Sequence, residues 1–167
     1  MATAIKGLIF DLDGVIVDTA KYHFHAWKRL ANSLGIDFTE KDNEQLKGVS
    51  RRASIDKILR WGGLEISENE IEDLMLKKNE WYLELMGKMD ESEILPGVSS
   101  VLNQAKAAGL KIALGSASKN APLILEQVNL TSFFEVIIDG NVVSASKPDP
   151  EVFVKGAQGL GLKNEEC

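Results

Sequence analysis

The chain has 167 residues, of which 44% are hydrophobic, 26% charged and 7% aromatic, and a formal net charge of −6. A chain of this size buries roughly 70% of its unfolded surface, so its core needs no covalent staple, and Cys167 as sole cysteine excludes an internal disulfide or a multi-cysteine metal knuckle. The acidic balance argues against nucleic acid or an anionic membrane as partner, no apolar run approaches the ~20 residues of a membrane span, and the first residues lack a signal-peptide layout, so a cytoplasmic protein is expected.

Residues 5–10, Ile-Lys-Gly-Leu-Ile-Phe, are a short apolar run that stops at Asp11-Leu12-Asp13-Gly14. They read as a buried strand ending in an acidic turn, with Gly14 free to take angles other residues avoid. From Thr19 the period changes: Ala20, Phe24, Trp27, Ala31 and Leu34 recur at steps of four and three, and Gly35 closes a helix. A polar connection leads to Lys47-Gly48-Val49-Ser50-Arg51. There Ser50 is placed to cap a helix that buries Ile55, Ile58 and Leu59 and ends at Gly62. Ser67-Glu68-Asn69-Glu70 has the capping-box pattern, and Ile71, Leu74, Tyr82 and Leu85 continue that helix.

After Pro96-Gly97, Val98, Val101, Leu102 and Ala105 predict a helix ended by Gly109. A strand follows over Lys111 to Leu114, then the small-residue turn Gly115-Ser116-Ala117-Ser118, with Asn120 as cap of the next helix. Phe134 to Ile138 is a third strand, Ser146-Lys147-Pro148 a loop, and 150–160 a last helix. This order predicts an α/β fold with an open parallel sheet: a discontinuous core of residues 1–14 and 92–167, and an inserted all-helical cap over 15–91.

Ligands of an open parallel sheet sit beyond the carboxyl ends of its strands. Three polar groups fall there: Asp11 and Asp13 after the first strand, Ser116 after the second, and Lys147 after the third. Two carboxylates two residues apart suit a hard divalent cation, one acting as nucleophile and the other as proton carrier. A hydroxyl, backbone amides and a lysine opposite them suit phosphate oxygens. Alone, Asp-Leu-Asp-Gly is an ordinary surface turn; with the serine and lysine it describes a phosphoryl-transfer site.

Asp11-Leu12-Asp13-Gly14-Val15, Ser116 and Lys147-Pro148 resemble the first three motifs of the haloacid-dehalogenase superfamily. The insertion segments Tyr22-His23-Phe24 with Ala26-Trp27, and Asn43 through Arg51, together with Ser116-Ala117-Ser118-Lys119-Asn120, resemble its β-phosphoglucomutase branch. The resemblance implies a Rossmann-like parallel core with a helical cap that closes to exclude water. It implies interconversion of β-D-glucose 1-phosphate and glucose 6-phosphate through an aspartyl-phosphate and a bound sugar bisphosphate. Asp11 matches the nucleophile and Asp13 the general acid/base, with Mg²⁺ on the Asp11 carboxylate and the Asp13 carbonyl. Ser116, the Ala117 amide and Lys147 match the ligands of the transferring phosphate. Arg51, Ser118, Lys119 and Asn120 match those of the other phosphate, and His23, Lys47, Gly48 and Lys78 match pocket positions of the cap. A helix N-terminus after Ser50 already favours an anion near Arg51.

Plainer readings stand beside these. Arg51 and Arg52 suit a solvated pair, His23 and Trp27 core packing, and Lys77 and Lys78 a solvated stripe, while Trp61, Trp81 and Tyr82 read as cap core. The family's fourth motif, a strand ending in a metal-binding acidic pair, has no counterpart before Cys167, so the sequence reads as a truncated form: the expected activity is that of the intact protein, with an inactive truncated form as the alternative. Glu165 and Glu166 are not that motif. An open edge at Leu8, Ile9 and Phe10 would then favour self-association, whereas a monomer is expected for the intact enzyme. Rivals are a sugar-phosphate phosphatase on the same scaffold, an inactive interaction protein, and a phospho-acceptor signalling domain using Asp139. The long helical insertion counts against the last.

Overall fold

The computed structural model describes residues 4–167. Its elements run β1 (Gly7–Phe10), α1 (Ala20–Ser33), α2 (Glu40–Glu44), α3 (Arg51–Gly62), α4 (Glu68–Met86), α5 (Val98–Ala107), β2 (Lys111–Gly115), α6 (Ala121–Gln127), β3 (Val136–Ile138) and α7 (Glu151–Gly159). They divide into two units, Met1–Asp18 with Met89–Cys167, and Thr19–Lys88.

The first unit is built on a parallel sheet of order β1-β2-β3, in which Ile9 pairs with Ala113 and Ala113 with Val136. Ile112, Ala113 and Leu114 are buried in the middle strand, as a strand covered on both faces requires. Helix α7 packs close through small residues: a methyl added at Gly156 would lie 3.1 Å from Ile9 Cδ1, and one at Gly159 would lie 2.7 Å from Val136 Cγ1. Among the described residues β1 has one strand partner, and Leu8, Ile9 and Phe10 are half-buried. The Lys6 amide donates to the Glu166 carbonyl at 2.7 Å, and its ammonium meets the Glu166 carboxylate at 2.6 Å. The two segments that lead to and from the inserted unit are themselves paired. Val17 bridges Ile94 in antiparallel fashion, the Leu95 amide donates to the Ile16 carbonyl at 3.0 Å, and that of Asp18 to the Glu93 carbonyl at 3.1 Å.

The second unit is helical. Helix α1 packs on α4, and Trp27, Leu30, Phe38, Ile55 and Ile58 form its apolar centre. Ser50 accepts from the Ala53 amide, and Ser67 and Glu70 complete a reciprocal capping box, as their spacing predicts.

Several expectations need correction. The polar connection before Lys47 contains a short helix, α2, capped by Thr39 and Asp42; an aspartate in place of the usual Glu or Gln hides that box in the sequence. Strand β3 begins at Val136 because Thr131–Phe133 form a 3₁₀ turn. Asn120 occupies the cap position of α6 but makes no side-chain cap hydrogen bond. Trp61 is 40% exposed, not core. The buried stripe of α3 runs Ile55, Ile58, Leu59 and on to Gly62, whose missing side chain leaves room for Ile36, and Trp61 lies one residue's rotation off it. Lys78 is buried at 4% exposure, so the solvated-stripe reading holds for Lys77 alone.

Candidate active site

Strand β1 delivers Asp11 and Asp13 at its carboxyl end. Fully buried Leu12 sits between them and fixes both half-buried acids on the opposite side of the turn. The Leu12 amide donates to Asp11 Oδ1 at 2.8 Å. The turn closes tightly, with the Gly14 amide on the Val17 carbonyl at 2.8 Å and that of Ile16 on Leu12 at 2.9 Å. Gly14 has φ +77°, the left-handed region that glycine enters without strain.

Strand β2 ends in Gly115 and buried Ser116, whose amide donates to the Ile138 carbonyl at 2.9 Å and so carries the sheet one residue further. The hydroxyls after it organise a small-residue loop. Ser116 Oγ accepts from the Ser118 amide at 3.1 Å, and Ser118 Oγ from the Asn120 amide at 3.2 Å. The segment after β3 packs onto this loop, with the Gly140 amide on the Ser118 carbonyl at 3.2 Å and Asn141 Nδ2 on the Lys119 carbonyl at 3.3 Å. The Asp139 carboxylate accepts from the Asn141 amide at 2.7 Å, a turn-forming contact.

Lys147 closes the constellation. Its ammonium donates to the Gly115 carbonyl at 3.0 Å and lies 2.8 Å from Asp11 Oδ1. Residues from three strand ends, distant in sequence, thus converge: a carboxylate, a lysine and a hydroxyl-bearing loop rich in amides. Such a set holds a phosphoryl group beside a nucleophilic oxygen. As to metal, Asp11 and Asp13 offer hard oxygen donors that fit Mg²⁺, but among the described residues no three His, Cys, Asp or Glu side chains converge. These acids therefore fit as a partial shell, which water and phosphate oxygens would complete.

In the helical unit the structure brings His23, Trp27, Lys78 and Tyr82 together. Lys78 Nζ lies 3.1 Å from His23 Nδ1 and above the rings of Trp27 (4.4 Å) and Tyr82 (4.9 Å), while His23 stacks on Tyr82 at 4.3 Å. Spacings of four residues on α1 and on α4 create this box. At 3.1 Å the two nitrogens stand at hydrogen-bond distance, with the donor set by the imidazole tautomer.

Arg51 and Arg52 separate into two environments. Half-buried Arg51 opens α3 and donates Nη2 to Asn79 Oδ1 at 2.8 Å; burial pulls its pKa below the ordinary guanidinium value. Arg52 is exposed and paired with Glu68 and Asp56, whose hydrogen bonds raise its pKa. Lys47 is exposed and meets Glu44 at 2.7 Å, a surface pair of small value that leaves the lysine available to a ligand. Gly48 beside it has φ +72°. Asn79, which orients Arg51, went unnoticed in the sequence, where no spacing marks it.

The model of the haloacid dehalogenase-like hydrolases matches residues 5–167. A β-phosphoglucomutase of Bacillus subtilis is 42% identical over 165 residues, spanning 98% of this chain and 73% of that protein. A phosphorylated-carbohydrates phosphatase of Thermotoga maritima is 27% identical over 97% of this chain and 74% of its own. The crystal structure of a β-phosphoglucomutase from Clostridium difficile matches with a TM-score of 0.93 and 42% identity, covering 98% of this chain and 74% of that one. With the three strand-end motifs in place, the chain belongs to the haloacid dehalogenase-like hydrolase family.

Proposed function

We propose that the chain is a β-phosphoglucomutase, interconverting β-D-glucose 1-phosphate and glucose 6-phosphate, and that the residues above divide the work as follows. An Asp11 carboxylate oxygen attacks phosphorus, and the bond from phosphorus to the sugar oxygen breaks. Asp13 gives its proton to that oxygen. In the return step Asp13 takes a proton from the accepting hydroxyl as the phosphoryl group leaves Asp11. Ser116, the Ala117 amide and Lys147 hold the transferring group. In the core unit Ser118, Lys119 and Asn120 serve as ligands of a second phosphate; in the helical unit Arg51 serves as a phosphate ligand, with Lys47, Gly48, His23 and Lys78 serving the sugar. The Asp11 carboxylate and the Asp13 carbonyl would hold Mg²⁺, which would neutralise phosphate charge.

The observation that carries this reading is the 2.8 Å approach of Lys147 to Asp11. A lysine there pairs with the carboxylate and marks where an anionic group will sit. The greater identity to a mutase than to a sugar-phosphate phosphatase, together with the oriented Arg51, favours transfer between sugars over hydrolysis. We place this hexose-phosphate chemistry in the cytoplasm; among the described residues no helix is long and apolar enough to cross a membrane.

The test is the intact mass of the protein after incubation with β-glucose 1,6-bisphosphate and Mg²⁺. Asp11→Asn should gain no phosphoryl group and lose turnover. Asp13→Asn should be phosphorylated but fail to pass the group to a sugar. Mutase activity in Asp11→Asn would overturn the assignment.

A further inference from the structure

Lys147 must be placed to within a fraction of an ångström to serve a phosphoryl group, yet it stands on an irregular loop. The loop has little main-chain bonding of its own: the Val142 amide reaches the Asp139 carbonyl at 3.2 Å and that of Asp149 the Ser146 carbonyl at 3.1 Å. Its anchorage comes from the first turn of α7. The Glu151 carboxylate accepts from the Ser144 amide at 3.0 Å, the Ser144 hydroxyl at 3.0 Å and the Ala145 amide at 2.7 Å. One turn along, Lys155 pairs with Glu151 at 2.8 Å and donates to the Val142 carbonyl. Asp149 in turn accepts from the Glu151 amide at 2.9 Å, so the loop and the helix start are tied in both directions.

We infer that Glu151 is a positioning residue for Lys147: its carboxylate gathers the amides of Ser144 and Ala145 and thereby sets the loop from which the lysine reaches Asp11 and the Gly115 carbonyl. A carboxylate suits this task because it accepts several donors at once, and hydrogen bonds to a charged acceptor are stronger and shorter than neutral ones. The same donors, with Lys155 first among them, hold the Glu151 pKa down to about 2, so the anchor persists across the working range of pH. The inference rests on the reading of Lys147 as a phosphate ligand.

The experiment measures binding of inorganic phosphate, with Mg²⁺ present, to the full chain and to Glu151→Ala, Glu151→Gln, Lys147→Ala and the double variant Glu151→Ala/Lys147→Ala. Hydrogen exchange of the Ser144 and Ala145 amides is followed in parallel. Glu151→Ala should free both amides to exchange and raise the Kd for phosphate about tenfold, the scale of one charge-assisted contact. Glu151→Gln keeps an acceptor oxygen and should fall between, and it carries the test if the alanine variant fails to fold. In the Lys147→Ala background, the loss of Glu151 should cost nothing further, because its effect runs through the lysine. An equal loss in both backgrounds, or unchanged phosphate binding despite free amides, would overturn the inference. Unchanged binding in Lys147→Ala alone would instead overturn the assignment of Lys147, on which the inference stands.

Discussion

Replacing Gly159 by alanine should destabilise the core unit, although alanine is the better helix former. Gly159 ends α7 where the helix backs onto β3. A methyl on its Cα would stand 2.7 Å from Val136 Cγ1 and 3.1 Å from Cγ2, inside the about 3.5–4.0 Å at which carbon atoms attract. Val136 is β-branched and stiff, and its strand is held in register by Ala113. Helix or strand must therefore shift. Overpacking of this kind costs about 1–3 kcal/mol. Helix propensity returns at most about 1 kcal/mol, and less in a last turn. The net expectation is a loss of about 1–2 kcal/mol, or roughly 0.5–1 M in the urea midpoint at a slope of about 2 kcal/mol per M. Trp27, Trp61 and Trp81 all lie in the helical unit, so core unfolding is best followed by amide exchange in β3. Adding Val136→Ala should restore part of the loss by removing the clash. A Gly159→Ala midpoint equal to or above that of the parent would refute the packing argument.

Arg51→Ala should reduce transfer between hexose phosphates about ten- to a hundredfold more than hydrolysis of a small aryl phosphate, the worth of about 1.5–3 kcal/mol for a charge-assisted contact. Equal losses on both substrates would move Arg51 from ligand binding to folding. Ser67→Ala should cost α4 about 1 kcal/mol as an N-cap loss, read from thermal unfolding of the helical unit. The Ser67 side chain and amide depress the Glu70 pKa, so that contribution is complete above the unfolded carboxyl value of 4.5 and fades as pH falls through the lower folded one. Ser67→Ala should flatten this acid dependence, as a circular-dichroism titration would show. Ile58→Ala, at a fully buried position of the apolar centre, should cost about 2–5 kcal/mol in tryptophan-monitored unfolding.

Much of the core site was legible because one rule governs it: in a parallel sheet, the residues just past strand ends share a rim. Asp11, Ser116 and Lys147 needed only strand positions to be grouped, and the structure adds the distances. The helical unit was less legible because its chemistry depends on rotation and on partners far along the chain. Lys78 sits in the polar run Lys77-Lys78-Asn79, and His23 and Trp27, contributed by α1, bury it together with Tyr82. Arg51 and Arg52 are adjacent and chemically alike. A step of about 100° around α3 sends one to Asn79 and the other to Asp56 and Glu68. Trp61 was misplaced by composition, since a large aromatic suggests core until the stripe is traced to Gly62. Glu151 is a first-turn acid of α7 with no other mark in the sequence, and its hold on Ser144 and Ala145 follows from a loop path that no local pattern encodes.

The pairing of Val17 with Ile94 bears on the order in which the chain assembles. Strand β1 is synthesised first, yet its partner β2 begins at Lys111, after the whole Thr19–Lys88 unit has emerged. An unstructured tether of that length resists closure, by about 0.6 kcal/mol for each doubling. Once the Val17 and Ile94 segments meet, the slack that β1 must overcome shrinks to the short stretches on either side of the bridge, roughly two doublings less, or about 1 kcal/mol. The contiguous unit can complete its own local contacts during synthesis, while the parallel sheet, with its distant pairings, waits for Leu110 and beyond. Chain order thus allows the inserted helices to form before the sheet, whose first two strands pair only once Lys111 and the residues after it are present.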